Sequence, residues 1–124
     1  MTTAVDSSRR FAVWLNAARP RTLPLALACI ITGTGLAAAE GAFNWPVALT
    51  CVVTAILLQI LSNLANDYGD SLHGADHVER RGPKRAVQSG LVTPAEMRRA
   101  IVITALATMA AGLLLLWLAF GREA

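Results

Sequence analysis

Three long apolar runs, separated by polar segments, dominate the pattern of the chain. They cover about residues 22–39, 46–64 and 100–120. Each run is close to the roughly 20 residues that a helix needs to cross about 30 Å of hydrocarbon. The pattern therefore predicts an all-α protein, an integral membrane helical bundle with three transmembrane helices, in which residues 66–99 form a polar loop between the second and third helices.

A helix-capping sequence precedes the third apolar run. Thr93 can serve as the N-cap, Pro94 suits the first helical position, and Glu96 completes a capping box. We therefore expect the third helix to begin before its membrane portion.

A shorter amphipathic segment precedes the first run. Between residues 6 and 18, the apolar side chains Phe11, Val13 and Trp14 lie among the basic residues Arg9 and Arg10. Such a pattern is typical of a short helix that lies in the headgroup layer, and a loose N-terminal tail is the alternative.

Composition agrees with a protein surrounded by a lipid bilayer. The chain is 55% hydrophobic and only 15% charged, which exceeds the apolar content that one small soluble core needs. The formal charge of +3 resides in short basic clusters beside the apolar runs. Because nucleic acid is bound by extended basic surfaces, this distribution argues against a nucleic-acid partner. Cys29 and Cys51 lie inside apolar runs, and we expect both to have a packing role.

The basic residues flank the apolar runs unevenly. The connection 40–45 contains no Lys or Arg, whereas the other polar segments contain Arg9, Arg10, Arg19, Arg21, Arg80, Arg81, Lys84, Arg85, Arg98 and Arg99. The positive-inside rule therefore predicts that the N-terminus and the 66–99 loop face the cytoplasm. Trp45 and Trp117 are expected at the opposite interface.

Arg9 and Arg10, followed by an apolar run that ends in three alanines, also resemble a secretory signal, including the twin-arginine kind. Two further apolar runs follow, and Pro24 opens the first run instead of closing it. These features favour a transmembrane helix over a cleaved signal.

Polar residues are gathered on one side of the second helix if it continues through residue 70. At about 100° per residue, five polar side chains then share a stripe roughly 100° wide. They are Gln59, Asn63, Asn66, Asp67 and Asp70, which we call the polar stripe. Lipid cannot satisfy these groups, so the polar stripe is expected to face other helices or a wet cavity.

The chemistry of the polar stripe points to a metal ion and a phosphorylated ligand. Asp67 and Asp70 present hard oxygen ligands, too few to enclose an ion, as in sites where Mg²⁺ also binds water and substrate phosphates. A downstream basic cluster, formed by Arg80, Arg81, Lys84 and Arg85, supplies cations for phosphate oxygens. Helix capping and loop solvation are the alternative for the carboxylates, and membrane topology alone is the alternative for the cations.

Four stretches of the chain together carry a family resemblance: "ARPRTLPLAL", "LSNLANDYGD", the following "GAD" and "RRGPKRAVQSG". In their order and spacing they are similar to the 1,4-dihydroxy-2-naphthoate prenyltransferases of menaquinone synthesis, within the UbiA-type membrane prenyltransferases. The resemblance implies transfer of a polyprenyl group from polyprenyl diphosphate to 1,4-dihydroxy-2-naphthoate, with loss of its carboxylate, in the bacterial inner membrane.

The same resemblance assigns roles to residues of this chain. The first aspartate-rich motif of the family binds diphosphate through Mg²⁺ and corresponds to Asn63, Asn66, Asp67 and Asp70, with Asp76 in the following loop. The candidate catalytic residues are therefore Asn63, Asp67 and Asp70, and the candidate metal ligands are Asp67, Asp70 and Asp76. The candidate diphosphate-binding residues are Asn66, Arg80, Arg81, Lys84 and Arg85.

Several residues retain alternatives. Gln59, Asn63 and Tyr68 can orient a substrate or make hydrogen bonds within the core. His73 and His77 are interpreted as loop residues because no third metal ligand is evident.

Members of the family have more transmembrane helices and a second aspartate-rich motif, so residues 1–124 are expected to be an N-terminal portion. The alternatives are another aromatic acceptor, such as 4-hydroxybenzoate or homogentisate, and a small non-catalytic membrane protein that binds divalent cations or phosphate headgroups.

Overall fold

The computed structural model describes residues 2–72 and 92–121, and these residues form four helices. The helices are α1 (Thr2–Ala18), α2 (Leu23–Ala39), α3 (Trp45–Leu72) and α4 (Pro94–Phe120), and a short 3₁₀ turn, Pro20–Thr22, joins α1 to α2. No strand occurs in the described ranges, which confirms the prediction of an all-α chain.

Three segments are long and apolar enough to cross a membrane. They are Ser7–Ala39, Trp45–Asp70 and Pro94–Phe120. Both α3 and α4 extend beyond the apolar runs, because α3 continues to Leu72 and α4 starts at Pro94. The stretch 66–99, which was expected to be a loop, is thus helical at residues 66–72 and 94–99. The protein is a multi-pass helical membrane protein.

The described residues divide into two compact units. The first unit contains α1, the part of α3 from Ile60 onwards and the part of α4 up to Ile103, and the second contains α2 with the remaining parts of α3 and α4. The buried apolar core lies in the first unit and consists of Ala17, Leu64, Val92 and Met97. Three helices therefore contribute to this core, together with the segment just before α4.

Helix α1 confirms the predicted N-terminal helix and divides its apolar residues between two sides. Ala17 is buried in the core, and Val13 and Trp14 pack against it. Phe11 and Leu15 are instead 69% and 47% exposed, beside the exposed Arg9. Part of the apolar surface of α1 is thus covered by the protein itself. The location of α1 in the headgroup layer stays a prediction.

The start of α4 is the predicted capping box. The Glu96 backbone N–H donates to Thr93 Oγ1 at 3.1 Å, and the Thr93 backbone N–H donates to Glu96 Oε1 at 3.3 Å. Arg10 of α1 also forms an ion pair with Glu96. Because both side chains of this pair are partly exposed, the pair contributes little to stability, but it brings α1 alongside the first turn of α4.

The connection between α2 and α3 is closed by local hydrogen bonds. Gly41 has a φ of 72°, which glycine adopts without steric cost. The Ala42 N–H donates to Ala37 O at 2.8 Å and the Gly41 N–H to Ala38 O at 3.1 Å, the two bonds of a Schellman motif. Asn44 then accepts from the Val47 N–H as the N-cap of α3.

The helices of the second unit present apolar side chains outward, as lipid-facing helices do. Leu25, Ile31 and Leu36 are 79%, 67% and 65% exposed. The hydroxyls of Thr32, Thr50, Thr54 and Thr108 donate to a backbone carbonyl four residues earlier, as Thr50 does to Pro46 O at 2.6 Å. Hydrogen bonds of this kind satisfy hydroxyl donors where no water is present.

Candidate functional site

The polar stripe lies on one uninterrupted helix, because α3 runs to Leu72. The condition on which the stripe was predicted, helix through residue 70, is therefore met. Gln59, Asn63, Asn66, Asp67 and Asp70 consequently share one side of α3 at the helical spacing of about 100° per residue.

Burial changes steadily across the width of the stripe. Asn66, at one edge, is exposed; Gln59 and Asp70 are partly buried; Asn63 and Asp67, towards the other edge, are buried. Beyond Asp67 around the helix come Ile60, which packs against the core, and Leu64, which is a member of it. The stripe residues of the first unit, Asn63 to Asp70, therefore lie along the boundary between the packed core of that unit and its open surface, and Gln59 belongs to the second unit.

Asn63 is one of the two buried members of the stripe and contacts the end of α1. Its side chain is 3% exposed, and Nδ2 donates to the Ala18 carbonyl oxygen at 2.8 Å. A carbonyl oxygen only accepts hydrogen bonds, so the nitrogen of the amide is the atom that faces Ala18. This contact corresponds to the core hydrogen-bonding alternative for Asn63.

Asp67 is the most deeply buried member of the stripe, at 1% exposure. Burying a carboxylate is costly unless other groups stabilise its charge, and Asp67 does interact with other groups in the structure. Asp70, one helical turn further on, is only partly buried. A ligand that approached from the open side would reach Asn66 and Asp70 first and Asp67 last.

The donor set of the stripe does not form a complete metal cage. The described parts of the chain contain no group of three or more His, Cys, Asp or Glu residues that could hold a metal ion. Two carboxylates on one helix face, together with amide oxygens, match a Mg²⁺ site whose remaining ligands are water and phosphate. The stripe therefore fits a partial magnesium site.

The remaining predicted site residues lie outside the described ranges. These are Asp76, the candidate third carboxylate, both histidines, His73 and His77, and the basic cluster Arg80, Arg81, Lys84 and Arg85. Their proximity to the polar stripe stays a prediction.

A separate groove lies in the second unit, between α2 and the first part of α3. It has a volume of about 250 Å³ and is lined mainly by small and apolar residues, including Gly33, Phe43 and Val47. Cys29 and Cys51 both line this groove and are free thiols. Cys29 is exposed and Cys51 is partly buried, so the packing role expected for both cysteines stays a prediction.

Two features of the first unit were not predicted from the sequence. One is the bond between Asn63 and Ala18, and the other is the backbone of Arg19, whose φ of 52° is left-handed. Pro20 signals that a helix ends nearby. A residue with a left-handed backbone conformation is usually glycine, however, so an arginine at position 19 gave no indication of this type of turn.

Comparison with known proteins identifies one family and several relatives. The model of the UbiA prenyltransferase family matches residues 26–121. The 1,4-dihydroxy-2-naphthoate octaprenyltransferase of Escherichia coli (strain K12) is 53% identical over 106 residues, which are 86% of this chain and 34% of that protein.

Two further relatives carry the same name. That of Haemophilus influenzae is 42% identical over 115 residues, covering 91% of this chain and 37% of the relative. That of Mycobacterium tuberculosis is 44% identical over 104 residues, covering 84% of this chain and 34% of the relative. The chain therefore spans about a third of the length of these relatives. No solved structure matches it significantly.

Proposed function

Because the chain belongs to the UbiA prenyltransferase family, we propose that its protein transfers a polyprenyl group from polyprenyl diphosphate to 1,4-dihydroxy-2-naphthoate. The naphthoate carboxylate is lost as CO₂, and the direct product is the dihydroxy (quinol) form of demethylmenaquinone, an intermediate of menaquinone biosynthesis. The relatives named as 1,4-dihydroxy-2-naphthoate octaprenyltransferases support this acceptor, since 42–53% of the aligned residues are identical.

The observation that carries the proposal is the polar stripe at the end of a long apolar helix. Polar side chains at such a position are costly and are commonly found where a substrate or an ion binds. The apolar helix faces would thus suit the long hydrocarbon chain of the donor, and the polar stripe would suit its diphosphate.

Mg²⁺ is proposed as the cofactor because the donor set of the stripe fits it. Asp67 and Asp70 would hold the ion, with Asp76 from the following loop as a third carboxylate. When bound, Mg²⁺ neutralises negative charge on a diphosphate leaving group.

Other residues of the chain are proposed to bind and orient the diphosphate. Asn66 lies at the exposed edge of the stripe, where its amide can donate to a diphosphate oxygen. Arg80, Arg81, Lys84 and Arg85 are proposed to bind the other phosphate oxygens. In the reaction, the allylic carbon–oxygen bond breaks, its electron pair leaves with the diphosphate, and a ring carbon of the naphthoate forms the new carbon–carbon bond. The bond between the ring and the carboxylate breaks as well, so that CO₂ leaves and the electron pair of that bond returns to the ring. Positive charge around the diphosphate stabilises that departure.

The location proposed for the protein is the bacterial inner membrane, with the N-terminus in the cytoplasm. The uneven distribution of Lys and Arg supports this orientation. Both the polar stripe and the basic cluster would then face the compartment that contains soluble naphthoate.

The proposed function is tested with the purified full-length protein in liposomes. It is supplied with Mg²⁺ and a polyprenyl diphosphate, and with 1,4-dihydroxy-2-naphthoate, 4-hydroxybenzoate or homogentisate as the acceptor. We expect a decarboxylated, prenylated product from the naphthoate alone, identified by mass spectrometry. Product from 4-hydroxybenzoate or homogentisate, and none from the naphthoate, would identify that compound as the acceptor instead. Binding of diphosphate without any product would support a non-catalytic membrane protein.

A further inference from the structure

The C-terminus of α1 has carbonyl groups that the helix itself cannot satisfy. The last four carbonyls of any α-helix lack partners within the helix, and α1 ends at Ala18. The Arg19 backbone N–H donates to Leu15 O at 3.1 Å, which satisfies one of them. Asn63 of α3 supplies the partner for Ala18, through the 2.8 Å bond from its amide nitrogen.

The turn that follows α1 is one that an arginine does not readily adopt. Arg19 has a φ of 52°, and its bond to Leu15 is the single bond of an αL helix end, in which glycine is usual. A residue with a Cβ atom is disfavoured in this conformation. The turn at Arg19 therefore depends on contacts from other parts of the fold.

The bond between Asn63 and Ala18 is partly buried, at the edge of the core. Asn63 is 3% exposed and Ala17, the residue before the capped carbonyl, is also 3% exposed. Val13 and Trp14 of α1 pack against the same core. A hydrogen bond in such surroundings is less exposed to competition from water, and losing it leaves a partly buried acceptor without this partner.

We propose that Asn63 is a positioning residue, whose side-chain amide caps the C-terminus of α1 and holds the left-handed turn at Arg19 beside the polar stripe. The amide nitrogen is bonded to α1, so the proposed action of Asn63 on the site is through α1; binding of a ligand by its amide oxygen is the alternative that the double-mutant cycle below tests. The expected effect of Asn63 on prenyl transfer rests on the proposed function. The expected effect of Asn63 on the stability of α1 does not, so these two effects are measured separately.

The effect on α1 is measured by limited trypsin digestion of the full-length protein. Arg9 and Arg10 are exposed residues of α1, and cleavage after them requires local opening of the helix. Asn63→Ala should accelerate this cleavage about fivefold, the change expected for the loss of one hydrogen bond. Cleavage after Arg98 in α4 should keep its rate. Ser62→Ala, an exposed neighbour on α3, is the matched control and should behave as the wild type.

A double-mutant cycle with Arg19→Gly distinguishes positioning from ligand binding. Glycine adopts the left-handed turn without support, so the end of α1 should then depend less on Asn63. Asn63→Ala should change the cleavage rate, and also kcat/KM for polyprenyl diphosphate, by a smaller factor in the Arg19→Gly background than in the wild type. We expect the factors in the two backgrounds to differ by at least about twofold. The double variant is compared with Arg19→Gly alone, so any contribution of the arginine side chain is present in neither protein and cancels.

Three results would overturn the proposal. The first is an unchanged cleavage rate at Arg9 and Arg10 in Asn63→Ala, and the second is an equal acceleration at Arg98, which would show general loosening. The third is a loss of kcat/KM that is the same in both backgrounds, as expected for a ligand. If Asn63→Ala does not insert into the membrane, Asn63→Leu serves instead, because it keeps nearly the same size and removes the donor without adding a charge.

Discussion

Replacing Asp67 by asparagine removes one negative charge from the most deeply buried position of the polar stripe. The side chain is 1% exposed, and asparagine has nearly the same size and shape. Packing around the position is therefore retained, while the charge that binds a cation is lost. The substitution separates the electrostatic role of Asp67 from its contribution to the core.

The expected loss follows from the burial of this position. Removing one group that stabilises transition-state charge in a water-excluded site costs about 2.7–4 kcal/mol, or 10²- to 10³-fold in rate. Since Asp67 is inaccessible to bulk solvent, water cannot take over the role of the missing charge. Asp70 is only partly buried, so we expect Asp70→Asn to cause a smaller loss than Asp67→Asn.

The assay is Mg²⁺-dependent prenyl transfer by the full-length protein in liposomes, with kcat/KM measured over a range of Mg²⁺ concentrations. Expression level and thermal unfolding temperature are recorded for each variant. Ser62→Ala is the control, because Ser62 is an exposed residue of α3 that lies outside the polar stripe. It should retain wild-type turnover.

One outcome would refute the reasoning directly. If Asp67→Asn inserts and unfolds at the wild-type temperature, and its Mg²⁺-dependent turnover is near normal, then Asp67 is not part of a diphosphate site. The buried carboxylate would then serve packing and hydrogen bonding only. The proposal for Asp70 would fall with it, because the two residues were assigned to the same ion.

Three further predictions concern topology, the core and the basic cluster. In a cysteine-free background, a cysteine at Ala42 should react with an impermeant thiol reagent from the periplasmic side and one at Ser71 should not; reversed labelling would contradict the orientation. Met97→Ala, at a position 0% exposed, should lower the free energy of unfolding by about 2–5 kcal/mol in a detergent melt. Met109→Ala, at a position 63% exposed, should have little effect, and equal losses would refute the assignment of the core. Arg81→Ala should raise the KM for polyprenyl diphosphate while insertion persists, whereas unchanged kinetics would leave the basic cluster with a topological role alone.

The three apolar helices and the start of α4 were determined by local sequence. Three apolar runs of membrane-spanning length predicted the three long helices, and Thr93 with Glu96 predicted the start of α4 to the residue. The continuation of α3 to Leu72 was only assumed as a condition for the polar stripe, and residues 66–72 were expected in the loop; helical spacing of the polar residues through Asp70 is consistent with the longer helix. These features depend on side-chain periodicity and on hydrogen bonds between residues a few positions apart, which a sequence displays directly.

The tertiary structure decided which side chains of each helix are covered. Periodicity placed Asn66 and Asp67 in the same stripe, yet Asn66 is exposed and Asp67 is buried, because the core of the first unit covers only one edge of that stripe. The same core covers Trp14 of α1 and leaves Phe11 exposed. A helical pattern indicates which residues share a face but not how much of that face a neighbouring helix covers.

The role of Asn63 likewise depended on distant residues. Its partner Ala18 is 45 positions away in the chain, and Arg10 pairs with Glu96 across 86 positions. An amide beside two aspartates was read as part of a binding site, because the sequence does not show which helix end packs against it. The pairing of Asn63 with the last carbonyl of α1 and the left-handed φ of Arg19 are seen only in the folded structure. Contacts of this kind arise from packing between segments distant in sequence, which local periodicity and helix propensity do not specify.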